Sequence, residues 1–326
     1  MSTKKTVLEL LEKRRGESIS GKFIAEKLNV SRNAVWKAIK ELEKDGYKIT
    51  AVTNKGYCLC DDNDILSVQG MLPFLTIEEG RNKIFIHNSL ESTNKTAKEM
   101  AISGAGHGTV IIADSQTSGR GRYGRDFFSP PNSGIYMSFI LRLTHLRFES
   151  PTIVTAFAAV SVCKAIEALT EKLPRIKWVN DIFLNEKKIC GILTEAVSDF
   201  ESGNIEWVVV GIGINFTAPA AGYPPELKNI IGSIFPDNNH TATRNHLAAE
   251  IINRMMNLEN QYDKNEMFRE YKKRLMMLGE KIKVIDPNEP FEATAIDIDD
   301  MGRLVVRKTD GEILSLSSGE ISIVKF

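Results

Sequence analysis

The sequence is poor in the residues that build disulfide frameworks and metal sites. Its 326 residues include four cysteines and five histidines. Cys163 and Cys190 are isolated, and Cys58 and Cys60 form one C-x-C pair with no second pair to complete a zinc site. The histidines show no ligand spacing. We therefore expect incidental thiols, with neither a disulfide framework nor a zinc site.

Long apolar runs are also lacking. The apolar stretches are interrupted by charged residues such as Lys164, whereas a membrane helix needs about 20 apolar residues. Residues 1–5 lead into a charged helical pattern and not into an apolar signal core. Hydrophobic residues make up 42% and charged residues 26%, which is typical of a folded soluble protein. The sequence predicts a cytoplasmic protein with no membrane partner.

The chain as a whole lacks an excess of either charge, because 42 basic residues balance 42 acidic ones. The charge is nevertheless uneven. Residues 1–60 hold 13 basic and 7 acidic residues, a net charge of +6, and the remainder carries −6. A basic segment joined to a mildly acidic body favours a nucleic-acid module attached to another function.

Residues 1–60 have the pattern of three helices followed by a hairpin. A first amphipathic helix precedes a short second helix capped by Ser20, and a third helix runs from a cap at Ser31 to Gly46. Strand-like alternation around residues 54–56 then indicates a hairpin. This order predicts a winged helix-turn-helix.

The third helix has two unlike faces. Val35, Ile39 and Leu42 recur at helical spacing and predict the buried face. The opposite face and the hairpin tip supply the candidate DNA-binding residues, which are Ser31, Arg32, Asn33, Trp36, Lys37, Lys40 and Lys55. Such a helix enters the major groove, and a basic tip meets phosphate. A protein-interaction module remains the alternative, and Trp36 is equally compatible with half-buried packing.

The rest of the chain alternates strand and helix patterns. Predicted strands cover residues 84–86, 109–113, 135–143, 189–196 and 207–214, and predicted helices cover 95–102, 151–172, 243–262 and 265–278. Consecutive strands without a helix between them favour an α+β fold with a mixed sheet. Five short strands in residues 281–325 predict a small SH3-like β-barrel. The predicted domains are 1–62, 63–278 and 279–326.

A glycine-rich segment is the strongest motif. Gly119, Gly121 and Gly124 match G-x-G-x-x-G after a strand. A dinucleotide-binding fold requires a helix to begin there, but residues 126–131, Asp-Phe-Phe-Ser-Pro-Pro, break helices. We therefore exclude a Rossmann site.

Three arginines lie between these glycines. Glycine allows a ligand to approach the backbone, and the guanidinium groups of Arg120, Arg122 and Arg125 match phosphate or carboxylate oxygens. The pattern predicts an anion-binding loop that its ligand orders. A merely mobile basic loop is the alternative.

Three further clusters are polar. Residues 92–94, Ser-Thr-Asn, stand at a predicted helix start, where a simple N-cap is the alternative. Residues 177–181 precede a strand, and Lys188 lies near a hairpin tip, where lysines are usually solvated. Residues 211–215, Gly-Ile-Gly-Ile-Asn, end a buried strand on which a flat ring could lie close to the backbone.

Together these motifs resemble the biotin–protein ligases. The segments that carry the resemblance are Ser92-Thr93-Asn94, Gln116, residues 119–125, Phe128-Ser129-Pro130, Lys177-Trp178, Asn180-Asp181, Lys188, Gly191-Ile192-Leu193, and Gly211, Gly213 and Asn215. The winged helix makes the chain similar to the bifunctional kind, which ligates biotin to acetyl-CoA carboxylase and represses the biotin operon. Val179 departs from the family, which often has proline there.

The resemblance implies two half-reactions. Biotin and ATP form biotinyl-5′-AMP and pyrophosphate, and a carrier lysine then takes the biotinyl group. The implied biotin-binding residues are Ser92, Thr93, Asn94, Gln116, Arg120, Gly121, Arg122 and Lys188. The implied ATP-binding residues are Arg122, Arg125, Lys188 and Asn215, with Asn215 at the adenine. Lys188, Arg122 and Arg120 would be catalytic, and Asp181 is a candidate ligand for Mg²⁺.

The implied partners are a biotin carboxyl carrier protein, operator DNA of biotin-synthesis genes and, with biotinyl-5′-AMP bound, a second copy of the chain. A lipoate–protein ligase is one alternative, although it would need no partners for a ureido ring. A non-catalytic, effector-sensing transcription factor is another, although sensing biotin requires no cluster of phosphate-binding cations.

Overall fold

The computed structural model describes residues 2–52, 55–77, 83–142, 150–198, 205–257, 263–285, 290–317 and 319–323. The chain forms two compact units. The N-terminal unit comprises Met1–Arg81 with Thr243–Ile252, and the sheet unit comprises Asn82–Ala242 with Asn253–Phe326. The predicted domain limits at residues 62 and 278 stay predictions.

The N-terminal unit begins as a winged helix-turn-helix. Its elements are α1 (Thr3–Glu12), α2 (Gly21–Leu28), α3 (Arg32–Lys44), β1 (Ile49–Val52), β2 (Gly56–Leu59) and α4 (Val68–Met71). The hydroxyl groups of Ser20 and Ser31 cap α2 and α3 as predicted, each accepting a backbone N–H at 3.1 Å. Asn29, with φ of 51°, ends α2 in the left-handed conformation. Thr53 and Asn54, at the hairpin tip, lie outside the described residues.

The N-terminal unit also includes the segment after the hairpin and most of α7 (Arg244–Met256). The Arg244 side chain is 2% exposed, and its Nε donates to Asp64 Oδ2 at 3.0 Å. Its backbone N–H donates to Oδ1 of the same carboxylate at 2.9 Å. Phe74 stacks on His246 with 3.8 Å between ring centroids. These contacts hold residues 64–74 against α7.

The sheet unit contains a mixed seven-stranded sheet. Its strands are β3 (Ile84–Leu90), β4 (Thr109–Gln116), β5 (Gly134–Arg142), β6 (Arg175–Lys177), β7 (Asp181–Leu184), β8 (Lys187–Ser198) and β9 (Ile205–Asn215), in the order β3-β4-β5-β9-β8-β7-β6. Only β3 and β4 pair in parallel; the other described pairs are antiparallel. Helices α5 (Thr93–Ile102) and α6 (Pro151–Leu169) cover the strands.

The last five strands form an antiparallel sheet. They are β10 (Lys281–Ile285), β11 (Phe291–Ile298), β12 (Leu304–Lys308), β13 (Ile313–Leu316) and β14 (Glu320–Ile323), in the order β13-β12-β11-β10-β14. All five lie where the sequence predicts them. The α+β class, the mixed sheet and the helix-turn-helix are thus confirmed, while closure of this small sheet into a barrel stays a prediction.

Three predicted helices are shorter than expected. Helix α6 ends at Leu169, three residues before the predicted limit. Helix α7 ends at Met256, and residues 258–262 lie outside the described part of the chain. Helix α8 (Lys264–Arg274) ends four residues before the predicted limit. Leu275 is extended there, and Met276 N–H donates to the carbonyl of Ile176 at 3.0 Å, so the chain pairs with β6 in place of another helical turn.

Helix α6 is long and apolar enough to cross a membrane by length and composition, contrary to the prediction from its interruption at Lys164. Of its most apolar stretch, however, 67% is buried inside the fold. That burial is typical of the core helix of a sheet-containing domain.

Candidate active site

A pocket in the sheet unit gathers most of the predicted ligand-binding residues. The predicted residues among its lining are Ser92, Thr93, Asn94, Gln116, Arg120, Gly121, Arg122, Arg125, Asp181 and Lys188. They come from the start of α5, the end of β4, the loop after β4, and strands β7 and β8. Segments far apart in the sequence therefore converge on one cavity.

Ser92 occupies the N-cap position of α5, but its side chain does not cap the helix. The backbone N–H of Thr93 donates instead to Gln116 Oε1 at 2.8 Å, and the Thr93 hydroxyl lies 3.2 Å from the same oxygen. Gln116 Nε2 in turn donates to Ser129 Oγ at 2.9 Å. The Ser92 hydroxyl thus lies in the pocket without the capping role that was the alternative.

Asn94 is held at both ends of its amide. Nδ2 donates to the Leu193 carbonyl at 3.2 Å and to Glu195 Oε2 at 2.8 Å, and Oδ1 accepts from the Ser138 hydroxyl at 2.7 Å. The other carboxylate oxygen of Glu195 pairs with Lys98 at 2.8 Å. Since both Nδ2 protons are engaged, Asn94 has no amide proton left for a ligand.

The Asn94 side chain lies close to the backbone of β9, which explains the glycine at position 211. A Cβ atom there would lie 2.1 Å from Asn94 Oδ1. No side chain larger than hydrogen fits at that distance, so Gly211 is required for Asn94 to reach its partners.

The glycine-arginine loop turns back on itself. Phe127 N–H donates to the Gly119 carbonyl at 2.8 Å, and a short 3₁₀ turn covers Arg122–Gly124. Tyr123 adopts a left-handed conformation with φ of 58°. No helix follows within residues 125–133, in agreement with the exclusion of a Rossmann site.

Two cations that the sequence predicts to bind ligand, Arg122 and Lys188, lie beside the neighbouring side chains of Asn180 and Asp181. Arg122 Nη1 donates to Asn180 Oδ1 at 3.2 Å, and Lys188 Nζ lies 2.8 Å from Asp181 Oδ1. Asn180 Nδ2 donates to the same Asp181 oxygen at 3.0 Å. The side chains of Lys188 and Asp181 are 25% and 23% exposed, so Lys188 is not the solvated hairpin lysine that was its alternative.

Phe127 lies against the pocket floor. A Cβ atom at Gly213 would come within 2.5 Å of its ring, and one at Gly191 within 3.2 Å. An aromatic ring of the protein thus lies close to the backbone at Gly213, and a ligand ring near residues 211–215 stays a prediction. The Phe127 ring therefore gives this side of the pocket an apolar surface.

Two predicted roles concern Asn215, at the adenine, and Asp181, at Mg²⁺. Asn215 ends β9, is 8% exposed and is not among the pocket-lining residues, although Gly213 is. Asp181 lines the pocket, but within the described ranges no three His, Cys, Asp or Glu side chains come together as a metal site. Both roles stay predictions.

The buried thiols do not supply a nucleophile. Burial raises the pKa of Cys163 and of Cys190 far above the usual thiol value. Both groups stay protonated at neutral pH, so neither acts as a thiolate. Buried, protonated thiols at Cys163 and Cys190 agree with the prediction that these cysteines are incidental.

The predicted DNA-binding residues form an exposed face in the N-terminal unit. Val35, Ile39 and Leu42 are buried, as the helical spacing predicts. The exposed set is Ser31, Arg32, Asn33, Trp36, Lys37, Lys40 and Lys55. Trp36 is 50% exposed, and Lys40 pairs with Glu43 at 2.7 Å.

Several site residues escape the sequence analysis. Ser138 and Glu195 lie inside strands that read only as apolar, and Gly319 and Ile321 reach the pocket from the small C-terminal sheet. Ser138 interrupts an apolar run in β5, and Glu195 follows Thr194 within the apolar part of β8; these interruptions are the signal that could have identified the first two. Position in the sequence gives no hint of the last two.

Three family models match successive parts of the chain. An HTH domain matches residues 3–58, the Biotin/lipoate A/B protein ligase family matches 87–215, and the Biotin protein ligase C terminal domain matches 277–324. The second match spans the loop, the cations and the glycine-rich strand described above.

Curated and solved proteins extend these matches. The chain is 34% identical over 327 residues to the bifunctional ligase/repressor BirA of Bacillus subtilis (strain 168), covering 98% of each chain. It is 27% identical to BirA of Escherichia coli (strain K12), covering 94% of each. Biotin protein ligase from Aquifex aeolicus, solved with biotin and ATP, aligns with a TM-score of 0.63 at 25% identity, over 75% of this chain and 99% of that one.

Proposed function

We infer that this chain ligates biotin to a carrier protein with ATP and represses transcription through its N-terminal unit, because it belongs to the family of bifunctional biotin ligase/repressors. The observation that carries the ligase activity is the meeting of Arg122 and Lys188 beside Asn180 and Asp181, in the same pocket as Ser92 and its neighbours.

In the first half-reaction a biotin carboxylate oxygen attacks the α-phosphorus of ATP, and pyrophosphate leaves with the electrons of the broken P–O bond. Carboxylate and phosphate repel each other, so cations must hold both. Lys188 and Arg122 are the candidates because each already reaches into the pocket through a hydrogen bond or ion pair at its far end. Arg120 and Arg125, both exposed, would close over the ligand and its phosphate tail.

In the second half-reaction the amine of a carrier lysine attacks the acyl carbon of biotinyl-5′-AMP, and AMP leaves. The carrier would be a biotin carboxyl carrier protein or domain. The exposed arginines of the loop after β4 lie where the pocket meets solvent, and an extended lysine side chain could enter there.

At the other end of the ligand the ureido ring needs paired donors and acceptors. Ser92 supplies a hydroxyl that caps no helix, and Gln116 retains one amide proton beyond its bond to Ser129. Thr93 aligns Gln116, and Asn94 fixes the start of α5. We therefore assign direct contact to Ser92, Thr93 and Gln116, and a positioning role to Asn94.

Mg²⁺ is proposed to enter as MgATP. Both described bonds of the Asp181 carboxylate go to Oδ1, which leaves Oδ2 as the oxygen that could face the cation. Mg²⁺ is commonly bound by one carboxylate together with phosphate and water oxygens, and rarely by protein ligands alone. Bound there, the ion would neutralise charge on the leaving pyrophosphate.

We propose a cytoplasmic protein without a membrane partner that binds operator DNA of biotin-synthesis genes as a homodimer loaded with biotinyl-5′-AMP. We further propose domain limits at residues 62 and 278, supported by the matches to 3–58, 87–215 and 277–324.

The lipoate and non-catalytic alternatives are less well supported. The polar set Ser92, Thr93 and Gln116 suits a ureido ring and not an apolar dithiolane. A pure sensor would not need Arg122 and Lys188 together in its pocket.

Mass spectrometry of an acceptor domain tests the ligase assignment. Incubation with the chain, ATP, Mg²⁺ and biotin should add one biotinyl group to a lysine, and lipoate in place of biotin should add nothing. Modification by lipoate alone would contradict the assignment, as would no modification by either acid.

A further inference from the structure

One side chain on the exposed face of α3 differs in kind from its neighbours. Trp36 is a large apolar side chain that is 50% exposed, on a face otherwise made of Arg32, Asn33, Lys37 and Lys40. Because residues four apart share a helix face, Trp36 lies between Arg32, one turn before it, and Lys40, one turn after it.

The indole of Trp36 is not part of the buried cluster of the winged helix. That cluster includes Val35 and Ile39 from α3. Phe23 provides a contrast, because it is 37% exposed but has Arg14 at 5.2 Å and Lys27 at 5.7 Å from its ring centroid. Within the described residues Trp36 shows no ring stacking and no cation–π contact.

The surroundings of Trp36 indicate what covers it. Four exposed groups of basic or amide character share its face, and exposed Lys55 extends the positive charge to the hairpin. Such a surface fits a partner that carries negative charge and also presents an apolar group to the indole. DNA is such a partner, because the C5 methyl group of thymine is an apolar group in its major groove.

The position of Trp36 along the helix supports this partner. Helix α3 begins at Arg32, so Trp36 is in its second turn. The N-terminal residues of a recognition helix are those that reach base edges, whereas later residues and the wing meet phosphates. Trp36 is thus placed to contact a base, and Lys40 and Lys55 to contact the backbone.

We propose that Trp36 is a specificity-determining residue that reads thymine in each operator half-site through the C5 methyl group. The proposal rests on the repressor function proposed for the N-terminal unit. It assigns a base to one side chain, while the surrounding cations supply attraction that is independent of sequence.

Replacement of thymine by uracil tests the proposal, because it removes only the methyl group and keeps base pairing. A high-affinity duplex is first selected from random sequences with the full chain, biotin and ATP. Each thymine is then replaced in turn by deoxyuridine. The wild-type chain should lose about fourfold in affinity at one position per half-site, the effect of one buried carbon.

The variants identify the side chain responsible. Trp36→Ala should bind the thymine and uracil duplexes equally, and Trp36→Phe should keep part of the difference. Phe23→Ala, a matched change at an exposed aromatic, should keep all of it. Lys40→Ala should weaken both duplexes by the same factor.

Selected duplexes that bind without any dependence on thymine methyl groups would overturn the proposal but not the repressor function. A Trp36→Ala chain that keeps the full difference between thymine and uracil would do the same. A Trp36→Ala chain that keeps DNA affinity but loses self-association would also overturn the proposal, since the indole would then be a protein contact. Failure of the wild-type chain to bind any duplex would overturn the repressor function itself.

Discussion

At the scale of single residues, the pocket depends on side chains that hold others in place. Ser138 and Glu195 fix the two ends of the Asn94 amide, and Asp181 holds Lys188 toward the pocket. A buried network of this kind is rigid only when every member is satisfied. Substitution of a residue that never touches the ligand should therefore weaken ligand binding.

Gly211→Ala tests this dependence. The new methyl group would overlap Asn94 Oδ1, whose present distance from that point is 2.1 Å. Loss of one network hydrogen bond, about 1.4 kcal/mol, corresponds to about tenfold weaker biotin binding. Isothermal titration calorimetry measures the effect, with Gly106→Ala as the control because open space surrounds Gly106. Unchanged biotin affinity in Gly211→Ala would contradict the role given to Asn94.

The residue-scale roles differ in how well sequence can predict them. Arg122, Lys188 and Gln116 are identifiable because charge or amide chemistry stands out within a motif. Ser138 is not, because its partner Asn94 lies 44 residues away and only the β-sheet brings them together. Asn94 itself is recognisable by type, but its inward-facing role follows from bonds that no local pattern contains.

At the scale of elements, the loop after β4 carries three arginines on a glycine-rich backbone. Its described contacts include the backbone bond from Phe127 to Gly119 and the bond from Arg122 to Asn180. Like charges repel within the loop, and ligand anions would remove that repulsion. We therefore expect the loop to become ordered when the ligand binds.

Limited tryptic digestion measures this sensitivity. Cleavage after Arg120 or Arg122 should be fast in the free chain and slow with biotin and ATP, because bound anions order the loop. Cleavage after exposed Lys55 is the internal control and should not change. Equal rates in both states at Arg120 and Arg122 would rule out ligand-induced ordering.

Helix α7 provides a pH-dependent element in the N-terminal unit. Burial lowers the pKa of His246 below its usual value, and the nearby Glu250 opposes that shift only in part. The unfolded chain then binds the proton more readily. The stabilisation from neutral His246 is therefore complete above about pH 6.5 and is lost as the pH falls through the lower folded pKa.

Thermal unfolding at pH 8 and pH 5.5 tests whether stability falls with decreasing pH as expected for His246. The fall in Tm on acidification should be smaller in His246→Phe than in the wild type, because phenylalanine keeps the stacking on Phe74 and does not titrate. An equal fall in both proteins would show that other groups set the pH dependence.

Element boundaries show where sequence patterns fail. Caps at Ser20 and Ser31 predict helix starts well, since the signal is local. The end of α8 is predicted late, because pairing of the segment after Arg274 with β6 decides it and that pairing is a tertiary contact. Strands β10 to β14 are predicted closely, as turn residues separate each of them.

At the scale of the whole molecule, the proposed ligase and repressor activities share one ligand, biotinyl-5′-AMP. A single winged helix offers a small DNA interface, and its +6 charge over residues 1–60 gives mainly non-specific attraction. Two copies at fixed spacing would supply selectivity. Biotinyl-5′-AMP that is not consumed by carrier protein would then favour the dimer and repression.

Arg32→Ala separates the two activities. The variant should lose the gel shift with operator DNA, because Arg32 begins the exposed face of α3, and should keep full ligation. Sedimentation should show dimers of both wild type and variant only with biotin and ATP. Loss of ligation together with DNA binding would mean that the N-terminal face is structural.

Lys188 and Arg122 are proposed to carry the adenylation step, and two adjacent lysines allow a direct test. Lys187 Nζ donates to the backbone carbonyls of Lys228 and Asn229, outside the pocket, whereas Lys188 faces Asp181 within it. Biotin-dependent pyrophosphate release should fall about 10²-fold in Lys188→Ala, since one preorganised charge at the reacting centre contributes about 3 kcal/mol. Lys187→Ala should retain most of the rate. Equal rates in the two variants, or an unchanged rate in Lys188→Ala, would contradict the role proposed for Lys188.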